Sequence, residues 1–252
     1  MPIKMRNNES NTASAKFVFI AAAGLALGTA SLQAQLQNPS FESPTTSFVS
    51  INIDSWQKAP KPDYFDEGTF GFSWVQTAGL FANTPPSSVS NHIDNLYGNQ
   101  SAYLLAFPGV TLAQDAGSLK YQPGKSYDLT VGLFGKNMAD GNLLTLSLYY
   151  HDGGNNAVTV GSTTITYSTA AFPSTTHMTD FHVTVPTVQA GDAWANEVLV
   201  VEIESVYGTG AGYWAVDHVR LTAVPEPISM GLSGVALAGL VVARKLVRGS
   251  GA

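Results

Sequence analysis

The 252 residues include 44% hydrophobic and 10% aromatic side chains, enough for one domain with a proper core, but only 12% are charged where about 25% is usual. Between the basic ends, Lys58, Lys61, Lys120, Lys125, Lys136 and Arg220 face sixteen acids, a net of −10, which excludes nucleic acid as a partner because phosphate binding needs clustered Lys and Arg. Cysteine is absent, so disulfides and thiolate metal sites are excluded, and stability must come from packing or from an oxygen-bound cation such as calcium.

Residues 1–16 are polar and basic, and residues 17–32 read FVFIAAAGLALGTASL ahead of Gln33 and Ala34. A basic stretch, a short apolar run and a small-residue ending predict a secretory signal peptide over residues 1–34. Cleavage after Ala34 would start the mature chain at Gln35; cleavage after Ala30 is the alternative. A membrane anchor would need a longer run, less rich in Gly and Ala.

Residues 35–223 read as strands separated by turns. A loop-rich stretch over 43–98 comes first, carrying Trp56, Tyr64, Phe65, Phe70, Phe72, Trp74 and Phe81 among prolines. Tyr127, Leu129, Val131 and Leu133 then alternate with Asp128, Thr130 and Gly132, the period of two of a strand with one buried face. Leu144, Leu146, Leu148 and Tyr150 repeat it after a turn at Asp140-Gly141, and Asp152-Gly153-Gly154-Asn155 turns the chain again. Further runs follow at Val158–Val160, Thr164–Tyr167, Phe181–Val185 and Leu199–Ile203. No helical period interrupts the series, which predicts one all-β sandwich or barrel.

Residues 224–227 read VPEP, residues 228–243 ISMGLSGVALAGLVVA, and Arg244, Lys245 and Arg248 follow. Sixteen apolar residues fall a little short of the roughly 20 that span a bilayer comfortably, and the basic end would stay cytoplasmic. The prolines hold the approach extended and set a helix start. Pro-Glu-Pro, a short apolar helix and a basic cluster, in that order, resemble the PEP-CTERM sorting signal of bacteria that make exopolysaccharide. The resemblance implies an exosortase-type membrane protease as partner, cleavage near Val224, Pro225, Glu226 and Pro227, and delivery to the cell surface or extracellular matrix. A plain C-terminal membrane anchor over 228–243 is the alternative.

Three further segments are similar to another pattern: NPSFE at 38–42; YGNQSAYL at 97–104 with GVTLAQ at 109–114 and QPGKSYDLT at 122–130; and YWAVDHVRL at 213–221. Together they resemble the galactose-binding-like jelly rolls, which include many carbohydrate-binding modules, and the calcium-dependent Stig-type cyclases. The resemblance implies a single antiparallel jelly-roll β-sandwich and a structural calcium joining the first and last strands, with Glu42 and Asp217 as side-chain ligands. His218 stands where such patterns often place a second acid. Asp217 shares parity with Val219 and Leu221, which points it inward and Trp214 the other way, and no Lys or Arg neighbours it on that face. A buried carboxylate without a partner is costly, and a hard cation would satisfy it.

Catalytic signatures are missing: no Gly-x-Ser-x-Gly, no His-Glu-x-x-His and no phosphate loop. His92 with Asp94, and His151 with Asp152, read as solvated loop pairs, and His182 as a surface strand position. Asp63, Asp66 and Glu67 read as a charged loop surface before a glycosidase pair. Enzyme activity is thus unsupported. Glycan binding has more support, because aromatic faces stack on sugar rings; Trp56, Tyr64, Trp74 and Tyr103 are the candidates. The expectation is an exported surface or matrix protein that binds exopolysaccharide, with a secreted cyclase-type enzyme or a purely structural protein as the alternatives.

Overall fold

The alternation in residues 127–133 becomes a strand of twelve residues, and its neighbours form around it. In the computed structural model, residues 32–34, 36–83, 92–208 and 210–225 are described; most of the expected signal peptide and the whole apolar segment 228–243 lie outside them. In chain order the elements are β1 (Leu32–Ala34), β2 (Val49–Ser50), β3 (Gln57–Lys58), the short helix α1 (Glu67–Phe70), a 3-10 turn (Trp74–Gln76), β4 (Ala78–Ala82), β5 (Gln100–Leu105), β6 (Val110–Lys120), β7 (Lys125–Lys136), β8 (Leu143–His151), β9 (Ala157–Thr166), β10 (Thr179–Val185), β11 (Val198–Tyr207) and β12 (Tyr213–Pro225).

Two antiparallel sheets result. The larger runs β10-β7-β12-β5-β4-β2, with β1 added against β12, and the smaller runs β3-β6-β11-β8-β9. The core lies between them. Leu129, Val131 and Leu133 on β7 meet Leu144, Leu146 and Leu148 on β8 and Leu199, Val201 and Ile203 on β11, all fully buried. At roughly 25 cal/mol per Å² of apolar surface removed from water, this continuous layer is the main source of stability.

Three features depart from the sequence reading. The runs at 158–160 and 164–167, all but Tyr167, belong to one strand, β9, whose pairing with β8 slips register opposite Leu148 and Tyr149; the irregularity breaks the alternation that marks a strand. The loop-rich stretch folds its rings inward: Phe65 is buried and packs against Phe70, Phe72, Trp74 and Phe107. The face of Asp217 is also inverted. Asp217 opposes Gly132 while Arg220 opposes Thr130, so one extra residue is inserted, and His218 adopts a left-handed φ of 51°. Trp214 and Val216, fully buried in the core, fix the inward parity before this bulge and Val219 fixes it after. Trp214 is therefore a core residue, and Asp217 stands on the opposite face of the sheet.

The sheet also crosses two expected boundaries. Leu32, Gln33 and Ala34 pair with Ala223, Thr222 and Leu221, and β12 continues to Pro225, opposite Lys125.

Candidate functional site

The three segments 38–42, 97–104 and 213–221 converge at the β12 bulge. Asn38 organises the first. Its side-chain amide donates to the carbonyls of Ser43 (2.7 Å) and Asp54 (3.0 Å), its Oδ1 accepts from Ser43 N (3.0 Å), and its carbonyl accepts from Trp56 Nε1 (3.1 Å). Asn is suited to such a turn because its short amide satisfies nearby backbone groups and tolerates the left-handed conformation, here at φ 49°.

Two buried glutamines then tie this turn to both sheets. Gln100 on β5 donates to the carbonyls of Phe41 (2.7 Å) and Pro44 (2.8 Å) and accepts from Thr46 N (2.9 Å). Gln114 on β6 donates to the carbonyls of Gln37 (2.8 Å) and Ser55 (2.9 Å) and accepts from Gln37 N (2.7 Å). Both sit inside motifs singled out above, but their clamping role had no signal in the sequence beyond a glutamine in an otherwise apolar strand.

So held, Glu42 meets the loop before β5. Its Oε1 accepts from the backbone N–H groups of Asn99 (2.9 Å) and Gln100 (3.1 Å). The approach requires glycine at 98: φ is +113°, and a Cβ there would lie 2.3 Å from Glu42 Oε1. One residue earlier, Tyr97 N donates to Asp217 Oδ2 (2.7 Å), and the Tyr97 ring stacks flat on His218 with centroids 4.5 Å apart. Val219 N donates to the Pro39 carbonyl (2.9 Å). The structure thus brings Glu42 and Asp217 into one site.

Asp217 is wholly buried, and its Oδ1 has no hydrogen-bond partner. Burial pushes its carboxyl up from 3.8 to about 7; the N–H groups of Tyr97 and His218 oppose this, the charge of Glu42 adds to it, and Arg220 opposes it weakly. Arg220 is turned to Asp180 (2.5 Å). An orphaned buried oxygen next to a second carboxylate is the donor chemistry a hard, oxygen-seeking cation wants. Among the described residues no three His, Asp or Glu side chains converge on one point, so a cation here would complete its shell with backbone carbonyls and water.

The four aromatic candidates do not form one strip. Trp56 is buried against Phe41 (5.1 Å). Trp74 is buried with its Nε1 donating to the Ala59 carbonyl (2.9 Å), and Tyr103 is buried with its hydroxyl on the Gln76 carbonyl (3.1 Å). Tyr64 alone is open, at 49% exposure, its hydroxyl on the Pro108 carbonyl. The acids of the same loop hold the loop itself: Asp66 caps α1 through Gly68 N (3.0 Å), and Glu67 accepts from Trp74 N and Ser73 Oγ (2.9 Å each). Asp94 gathers Thr176 (2.6 Å), His92 (3.4 Å) and His177 (3.4 Å).

Residues 223–245 match the PEP-CTERM protein-sorting motif. No curated protein sequence matches the chain. Among solved structures, an apo-form cyclase from Fischerella sp. superposes with a TM-score of 0.60 at 18% identity, over 78% of this chain and 98% of that one. A Stig cyclase from Fischerella sp. TAU, in complex with an indole derivative, gives 0.57 at 17% identity, over 78% and 100%. A CBM22-1 xylan-binding domain from Paenibacillus barcinonensis gives 0.44 at 10% identity, over 75% and 93%. The chain is a β-sandwich of the fold seen in the Fischerella cyclases, carrying at its C-terminus a PEP-CTERM protein-sorting motif of the kind recognised by exosortases.

Proposed function

We propose that this is an exosortase-processed surface or matrix protein whose sandwich binds glycan and is stapled by a structural calcium at Glu42 and Asp217. The observation that carries the staple is Asp217 Oδ1, buried without a partner beside a second carboxylate whose charge it feels. Calcium would hold the NPSFE turn, the loop 97–100 and the β12 bulge as one unit, a task that cysteine-free extracellular chains cannot give to disulfides. Glycan binding is supported by the sorting motif, which sends the sandwich to the cell surface, and by a surface built of hydroxyl and amide groups with few charges.

A second reading, a small-molecule enzyme of the cyclase type, draws on the same Asp217. A carboxyl that keeps its proton up to about pH 7 is equipped to donate it, and Phe134 and Ala215 pack with Ile93 on the face where it stands. The two readings make opposite demands, since a calcium ligand must be ionised and a proton donor must not.

Thermal melting of the full chain in detergent separates them, with calcium, with chelator and with a polysaccharide panel. A ligand that binds only the native state raises the melting temperature. Calcium is expected to raise it, Asp217→Asn and Glu42→Gln to abolish that rise, and one polysaccharide to raise it further. A curve unmoved by calcium removes the staple, and one unmoved by every polysaccharide removes the glycan.

A further inference from the structure

The outward face of the five-stranded sheet holds groups that neither reading uses. Leu199, Val201 and Ile203 of β11 are fully buried in the core, so alternation turns Val200, Glu202 and Glu204 away from it. In register beside them stand Thr111, Ala113 and Asp115 on β6, and Thr145, Ser147 and Tyr149 on β8. Outward residues of a sheet face are ordinarily open to water, yet Val200 is 4%, Ser147 7% and Tyr149 8% exposed. The face is therefore a groove, its floor screened by its own walls.

Glu202 and Glu204 make no hydrogen bond or ion pair with any described residue. Burial raises both carboxyls above the ordinary glutamate value, and the charge of Glu204 raises Glu202 further. The side-chain hydroxyls of Ser147 and Tyr149, in residues more than nine-tenths buried, are likewise without partners among the described residues. Burial, and after it the charges of Glu202 and Asp115, raise the Tyr149 hydroxyl; Tyr149 and Asp115 flank Val200 from the two neighbouring strands. His151 lies edge-on to Tyr149 at 5.3 Å and draws the Glu202 carboxyl down slightly; among the described residues no Lys or Arg acts on Glu202 or Glu204. Lys58 pairs with the core residue Leu112, so it stands on the other face of the sheet, its ammonium turned to the carbonyls of Ile51, Val75 and Ala78.

Half-buried carboxylates without a counter-charge cost free energy, yet this fold sets two on its central strand, about 7 Å apart by strand geometry. We propose that this groove is the glycan site and that the glycan carries protonated amines, as a polymer of de-acetylated amino sugars does. The proposal rests on the glycan-binding reading above. Ring ammonium groups supply the positive charge that Glu202 and Glu204 lack, through charge-assisted hydrogen bonds. The hydroxyls of Thr145, Ser147 and Tyr149 meet the ring hydroxyls. Uronic acid and sulfated polymers are rejected, because their anions would lie against three carboxylates.

Calorimetric titration of the full chain in detergent tests this with three soluble probes: a glucosamine oligomer, its fully N-acetylated counterpart and a uronic acid oligomer. The glucosamine oligomer is expected to bind at least about tenfold more tightly than the acetylated one, the scale of one charged hydrogen bond, and the uronate not at all. The pair Glu202→Gln and Glu204→Gln should weaken glucosamine binding about tenfold or more, whereas Asp63→Asn with Asp192→Asn, the same change in net charge elsewhere, should leave it unaltered. Thr145→Lys, which places a resident ammonium opposite Glu204, should abolish it. Equal binding of amine and acetylated oligomers, weakened by the glutamine pair, overturns the amine and keeps the groove. Binding indifferent to the glutamine pair and to Thr145→Lys overturns the groove and keeps the glycan. If no oligomer binds, the glycan-binding reading itself falls and takes this proposal with it.

Discussion

Chelated, the protein is expected to lose stability as the pH rises from 5 to 8, the opposite of what a well-paired carboxylate produces. In the folded chain Asp217 holds its proton up to about 7 against an ordinary value of 3.8. Between those values the folded state binds more protons than the unfolded state, so stability falls with rising pH. The part of that gap crossed between pH 5 and 8, about two pH units, corresponds to about 3 kcal/mol, at ~1.4 kcal/mol per tenfold change. That is a large part of the roughly 5–15 kcal/mol a domain possesses, and at about 2–4 °C per kcal/mol for this size it lowers the melting temperature by about 6–12 °C. Calcium inverts the trend, because it binds only the ionised carboxylate. Glu202 and Glu204, also raised, contribute in the same direction, so the informative quantity is the difference between wild type and Asp217→Asn. Differential scanning calorimetry of the full chain, in chelator and in calcium, supplies it. In chelator at pH 8 the variant should melt above the wild type; in calcium the order should reverse. Wild type and variant that track each other in chelator from pH 5 to 8 would refute the assignment of a buried, unpartnered carboxylate.

Gly98→Ala puts a Cβ 2.3 Å from Glu42 Oε1 at a φ of +113°, so a loss of about 2 kcal/mol or more is expected, together with loss of the calcium response in the same melt. Gln100→Leu keeps the volume but strands the Phe41 and Pro44 carbonyls and the Thr46 N–H; chemical denaturation should show a loss of about 2–4 kcal/mol. Trp214→Ala empties a fully buried site and should cost about 3–5 kcal/mol, whereas a Trp214 on the outer face would cost little. N-terminal sequencing of the secreted protein should give Ser31, because cleavage after Ala30 keeps the strand Leu32–Ala34 that pairs with β12, and cleavage after Ala34 discards it.

The strands with one clean buried face were legible as alternation, and β7, β8, β10 and β11 stand close to where the apolar residues place them. What alternation cannot register is an inserted residue. His218 looks like any strand position, yet its left-handed backbone moves Asp217 from the face of Val219 to that of Ala215. Nor does a tryptophan show from sequence which way it turns: Trp56 and Trp74 are candidate stacking surfaces by residue type, yet each spends its indole N–H on a backbone carbonyl inside the fold. The meeting of Glu42 with Asp217 was legible only through family resemblance, because 175 residues separate them in the chain and no local pattern reports such a contact. Glu202 and Glu204 were legible in principle, as the polar half of the period set by Leu199, Val201 and Ile203.

The order of synthesis gives β12 a further consequence. It is the last strand in the described chain to be made, yet it lies inside the larger sheet, between β7 on one side and β5 with β1 on the other. Until it arrives, β7 and β5 present open edges, the surfaces through which unfinished β-proteins associate, and their closure depends on pairings of high sequence separation that form slowly. A chain that breaks off before residue 213 cannot close the sheet at all. Closure of the larger sheet therefore waits for β12, and a product that terminates upstream of β12 lacks both the sorting motif and the strand that completes the sheet.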